Sequence, residues 1–121
     1  VFYIQLLYLN EDIKNNYLKD INSNEVQIDK DIKNYINIIN SLPYICTTQC
    51  CQGHPDNGYL SVMITEDKIN WFESIIIKEI FIYCKDVIKR FEEIKKDQIY
   101  VRYTFWFKNL EFFNAFINLL K

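Results

Sequence analysis

The sequence predicts an α/β chain of the α+β kind: a two-layer sandwich with a small mixed or antiparallel sheet and helices mainly on one face. Three observations lead there. Ile99–Phe107 alternates as a half-buried strand does, and Ile32, Tyr35, Ile36 and Ile39 recur at the spacing of one helical face. Both glycines and both prolines fall within Leu42–Ser61, which leaves the other periodic segments unbroken. Few strands alongside several helices imply helices packed on a sheet. At 121 residues, half of them hydrophobic and 17% aromatic, residues 1–121 are expected to form a single domain around one core, without disordered tracts.

The expected order is α-α-β-β-α-β-α. Leu6, Leu9, Ile13, Tyr17 and Ile21 recur at helical spacing and predict a first helix running to about Ile21, although VFYIQLLYL could instead start as a strand. Asn22, Ser23 and Asn24 end it. Asp29 is placed to cap the second helix, and Pro43 closes that helix by pushing Leu42 out of the α region. Tyr44–Thr48 is β-branched and aromatic and predicts a strand, Gln49–Gly58 a loop, and Tyr59–Ile64 a second strand with Leu60, Val62 and Ile64 on one face. Together they form an antiparallel hairpin with a long turn. Thr65 is placed to cap a third helix, with Glu66 and Asp67 in its first turn, predicted to run to about Lys95; its central part is apolar on several sides and reads equally as a strand. In Ile99–Phe107, Val101, Tyr103, Phe105 and Phe107 share a face with Ile99, and Tyr100, Arg102, Thr104 and Trp106 form the other. Asn109 caps a last helix with Phe113, Phe116, Ile117 and Leu120 turned inward.

Composition restricts function. A net charge of −2 lacks the basic excess usual in autonomous nucleic-acid binders. No apolar run reaches the length of a membrane span, and VFYIQLLYL lacks the basic lead of a signal peptide. Cys50 and Cys51 are adjacent and poorly placed to pair with each other, and Cys84 reads as a small hydrophobe within the third helix, so a reducing, cytoplasmic setting is expected.

Function is expected at Leu42–Ser61, which holds three of the four cysteines and the only histidine. Gly53 permits a sharp bend or close approach of backbone to a ligand, the hydroxyls of Thr47 and Thr48 with free loop amides suit an anionic group, and His54 titrates near neutral pH. Plain hairpins use far shorter turns, which favours a ligand-binding role over a purely structural connection. Asn40-Ser41-Leu42-Pro43-Tyr44 followed by Thr47-Thr48-Gln49-Cys50-Cys51-Gln52-Gly53-His54 resembles the signature of the wybutosine-synthesising tRNA methyltransferase family, the third enzyme of that pathway and its archaeal relatives. The family stretch reads Thr-Thr-Ser-Ser-Cys-Ser-Gly-Arg. Thr47, Thr48, Cys51 and Gly53 match it, whereas Gln49, Cys50 and Gln52 stand where the family has serines and His54 where it has arginine. Over about residues 29–64, the resemblance implies a related fold and a site for S-adenosylmethionine, with Thr47, Thr48, Cys51, Gly53 and His54 as ligand contacts. It also implies an RNA substrate, for which Arg102 and Trp106 are the candidate contacts. No catalytic residue is assigned, and whether the chain is an enzyme stays open.

Other readings stand beside this one. Cys46, Cys50, Cys51 and His54 are soft ligands in a C-x3-C-C-x2-H spacing, but a structural zinc site normally draws two pairs from separate segments, so a metal is not the expected cofactor. His54 could activate Cys50 or Cys51 as a nucleophile, with no orienting third residue in view. The face of Tyr100, Arg102, Thr104 and Trp106 could stack bases, pack under a helix or form a homodimer contact. A non-catalytic homo-oligomeric or partner-binding protein, or a metal-stabilised Cys/His domain, is the alternative function.

Overall fold

The strongest strand in the sequence is the one on which the sheet is built. The computed structural model describes residues 3–21, 30–51 and 58–121. Its strands are β1 (Gln5–Leu7), β2 (Ile45–Cys51), β3 (Tyr59–Ile64), β4 (Cys84–Lys95) and β5 (Gln98–Phe107). Its helices are α1 (Glu11–Ile21), α2 (Lys30–Asn40), α3 (residues 66–83) and α4 (Glu111–Leu120); α3 is a continuous helical run with 3₁₀ turns at both ends and a wider π-type stretch at Phe72–Ile76. β5 pairs with three neighbours. β4 lies antiparallel along its whole length on one edge; on the other edge β3 pairs antiparallel with the later part and β1 parallel with the start. β2 completes the sheet beyond β3, antiparallel to it. The sheet is therefore mixed and open, and the fold is α+β.

Helices lie mainly on one face. Ile45, Leu60, Val62, Ile64, Val101, Tyr103, Phe105 and Phe107 meet Ile32, Ile36 and Ile39 of α2, Ile69, Phe72, Ile76 and Ile80 of α3, and Phe112, Phe113, Phe116, Ile117 and Leu120 of α4. The alternation expected of β3 and β5 is thus what the core uses. An aromatic cluster fills the centre: Phe72 meets Tyr103 edge-on with ring centroids 5.1 Å apart, and Phe105 packs on Phe116 at 5.1 Å. Among the described residues the other face carries α1 alone, where Leu9, Ile13, Cys46 and Met63 form a smaller cluster flanked by Tyr17, Leu18 and Tyr100.

Three expectations change and one alternative resolves. Of the two readings open for the first segment, the strand is the one that forms at its start: Gln5–Leu7 pairs with Gln98–Tyr100, Leu9 bridges to Thr65, and the first helix starts only after Asn10, whose Oδ1 accepts the Ile13 N–H at 2.8 Å. The second strand runs through Cys51, so Gln49, Cys50 and Cys51 belong to the sheet, not the loop. The third helix ends at Tyr83, and residues 84–95 are β4, with Cys84 opening a strand. Val87, Ile88, Phe91 and Ile94 carry a spacing that suits a helix, but pairing along all of β5 prevails over that local pattern. Thr65 sits in extended backbone at the start of α3, yet its hydroxyl caps nothing. Asn109 does cap α4, its Oδ1 accepting the Glu111 N–H at 3.0 Å. The expected stop at Asn22-Ser23-Asn24 and the cap Asp29 lie outside the described residues.

Candidate functional site

β2 is an edge strand, so its outward backbone groups need partners from outside the sheet. Asn40, the last residue of α2, supplies one. Its Oδ1 accepts the Thr47 N–H at 2.8 Å and its Nδ2 donates to Thr47 Oγ1 at 2.9 Å. The carboxamide acts as a surrogate strand residue, and Thr47, 2% exposed, is held by it rather than presented to a ligand. Directly beyond, the register of β2 against β3 shifts: Thr47 opposes Val62 and Gln49 opposes Ser61, which leaves Thr48 as the extra residue of a β-bulge. Thr48 Oγ1 is buried and, among the described residues, has no hydrogen-bond partner. A hydroxyl so placed costs stability until something bonds it.

The far end of the hairpin carries aromatic rings. Cys51 opposes Tyr59, which opposes Trp106, and the two rings tilt against each other with centroids 4.9 Å apart; both residues are half-buried. Gly58 anchors this end. A Cβ there would stand 2.1 Å from the Phe107 ring, so only glycine lets that ring lie against the backbone, while the Phe107 N–H donates to the Gly58 carbonyl at 3.2 Å. Gly53 and His54 lie outside the described residues, and for Cys50 and Cys51 only the backbone is described.

Cys46 is fully buried under α1 beside Met63, Leu9 and Ile13, with Sγ 3.5 Å from the Thr47 carbonyl. Burial pushes its thiol up to about 11, against a smaller opposing effect of Lys14. A protonated thiol in an apolar cluster is a packing group, not a ligand. Lys14 Nζ donates to the Leu42 carbonyl, tying α1 to the α2–β2 turn. Cys84 is likewise buried, its thiol pushed up to about 12 by desolvation. Among the described residues no group of three or more His, Cys, Asp or Glu side chains could hold a metal ion.

The second face of β5 is occupied from within. Arg102 is 6% exposed and ion-paired with Glu92, and Arg90 stands opposite it in the β4 register. Thr104 is fully buried, its hydroxyl 2.7 Å from that of Ser61. Tyr100 belongs to the cluster beneath α1. Arg102 therefore does not offer a free guanidinium to phosphate, and only Trp106 of the two proposed RNA contacts keeps part of its surface.

Sequence reasoning missed Asn40 as the keeper of β2, and it missed a junction on the helical face. Glu73 Oε1 accepts both the Tyr103 hydroxyl at 2.7 Å and Lys89 Nζ at 2.6 Å, pinning α3 to β5 and β4 together. Lys89 holds the Glu73 carboxyl below its ordinary range, and burial raises Tyr103. The sequence signals for Asn40 were its place at the helix end ahead of Pro43 and its position at the head of the quoted Asn40–Tyr44 stretch; nothing local marks Glu73. No helix among the described residues is long and apolar enough to cross a membrane. Compared with models of protein families, with curated proteins and with solved structures, the chain finds no match in any of the three.

Proposed function

We propose that this chain is a small ligand-binding domain whose site lies along the β2–β3 hairpin and its connection, at residues 48–54 beside the strand position that Asn40 holds at Thr47, and that the ligand is of the nucleoside type. S-adenosylmethionine is the first to test, because the residue pattern at Thr47, Thr48, Cys51 and Gly53 resembles a family built around that molecule. The observation that carries the reading is Thr48: the bulge sets its hydroxyl in a buried place with no partner among the described residues. Bulges of this kind re-aim a side chain and are common beside sites. The tilted Tyr59 and Trp106 rings at the far end of the hairpin add a surface of the kind on which a purine stacks. If RNA is the substrate of such a site, Trp106 is the contact that remains, since Arg102 is engaged with Glu92.

The test is thermal unfolding with and without ligand. Millimolar S-adenosylmethionine should raise the melting temperature by a few degrees. T48V should make the ligand-free protein more stable, by up to about 1 kcal/mol, because it removes a buried hydroxyl without a partner while keeping the shape. The same substitution should abolish most of the ligand-induced shift. Absence of any shift in the unsubstituted protein would exclude this ligand, and a T48V protein that binds normally would remove Thr48 from the site.

A further inference from the structure

The opposite edge of the sheet carries a different feature. Among the described residues β4 pairs only with β5, so a twelve-residue strand exposes its outer backbone groups. Phe91, at its middle, is 56% exposed, and Ile88 and Ile94 are exposed on either side. Around Phe91 the sequence reads Lys89-Arg90-Phe91-Glu92-Glu93, two cations before the ring and two carboxylates after it. Charge therefore inverts through Phe91.

Inversion of this kind is what an antiparallel self-pairing needs. Two identical strands related by a two-fold axis normal to the sheet place directly opposed residues on the same face. With the axis at Phe91, Arg90 opposes the partner's Glu92 and Lys89 opposes the partner's Glu93, each contact occurring twice. Phe91 meets the partner's Phe91, and Ile88 and Ile94 flank the paired stretch at its two ends. Moving the axis to Arg90 would oppose two arginines, and moving it to Glu92 two glutamates. The chain's own contacts leave room for these pairs. Arg90 and Arg102 face each other across β4 and β5 with Glu92 ion-paired to Arg102, so a second carboxylate beside Arg90 completes the set. On the helical face Lys89 is bonded to Glu73 while part of its side chain stays exposed.

We propose that the outer edge of β4 is a homodimer interface in which two copies join antiparallel about Phe91, merging their sheets. The register shift between Glu93 and Lys95 leaves Ile94 outside the regular ladder, limiting the paired contact to residues 89–93. A contact of that length lies at the small end of specific interfaces and gives a reversible dimer. The charged residues meanwhile oppose pairing in any other register. β2 lies at the far edge of the sheet, so this surface is independent of the ligand reading.

Sedimentation velocity from low to high micromolar concentration tests it. The unsubstituted chain should show a concentration-dependent dimer. R90E, which sets carboxylates against carboxylates twice, should weaken it by about tenfold or more. R90E/E92R should restore it to within about threefold, because the swapped charges meet again and the R90E carboxylate stands opposite Arg102. Under mild oxidation, F91C should yield a 91–91 cross-linked peptide, whereas K89C should not cross-link at 89. A chain that stays monomeric throughout overturns the proposal. So does a dimer indifferent to R90E, or one that lacks the 91–91 cross-link, since either would lie on another surface.

Discussion

Asn40 and Glu73 each do the work of two contacts with one side chain. Asn40 satisfies the outward N–H and the hydroxyl of Thr47, and Glu73 gathers Tyr103 and Lys89 on one oxygen. Glu73 makes acid stability measurable. Its folded pKa lies below the ordinary 4.5, so the unfolded chain takes up its proton first as pH falls. The stability it contributes is complete above 4.5 and is lost as pH falls through the folded value. E73Q should therefore be less stable than the unsubstituted chain at neutral pH and should converge with it as pH falls through the folded value, as read by urea titrations at each pH. Neither residue was legible in the sequence as a structural link. An Asn before a turn and a Glu on a helix are ordinary, and their partners lie across contacts that no local pattern records. Thr47 illustrates the same limit: its hydroxyl was legible as a polar group at the right place, but not the carboxamide that holds it.

At the scale of elements, legibility followed the period of the side chains. β3, β5, α2 and α4 carry one unambiguous period each, and each lies where its period puts it. β4 does not. Val87, Ile88, Phe91 and Ile94 satisfy a helical stripe, no glycine or proline marks the end of α3, and the strand forms because β5 provides a full-length partner. β1 is three residues long, too short to show any period. The turn between β4 and β5 offers a direct check. Asp97 adopts a positive φ of 67°, in the left-handed region, and its carbonyl accepts the Gln5 N–H at 2.8 Å, so this turn also seats β1. D97A should cost about 1 kcal/mol, whereas D97G should be neutral or slightly stabilising, in equilibrium unfolding. Equal losses in both would show that the aspartate side chain, not the backbone, is what the turn needs.

For the molecule as a whole, the fold class, the helical face and the hairpin were readable because they rest on burial pattern, and burial pattern is written along the chain. What covers the second face of β5 was not, because Arg102, Tyr100 and Thr104 read alike whether a helix, a partner or solvent lies above them. At the loop, glycine, histidine and cysteine were legible as unusual residues, whereas the bulge that isolates Thr48 depends on register with β3. The main core predicts its own weak point. Phe72 lies among Tyr103, Phe105 and Phe116, fully buried, where α3 crosses the sheet. Phe72→Ala should cost about 3–5 kcal/mol, and chemical denaturation should show it as a lower midpoint with an unchanged slope.

The place of β5 at the hub of the strand pairings also bears on how the chain acquires its shape during synthesis. Among the described residues β1, β2 and β3 are complete by residue 64, yet β1 and β3 both need residues 98–106 to lie against. Until then β3 has β2 alone beside it in the sheet, and its apolar side has α2 and α3 to rest on but not the strand that completes the core. Closure waits for the C-terminal third, and the long-range contacts then arrive together, which favours a late and cooperative step over gradual vectorial assembly.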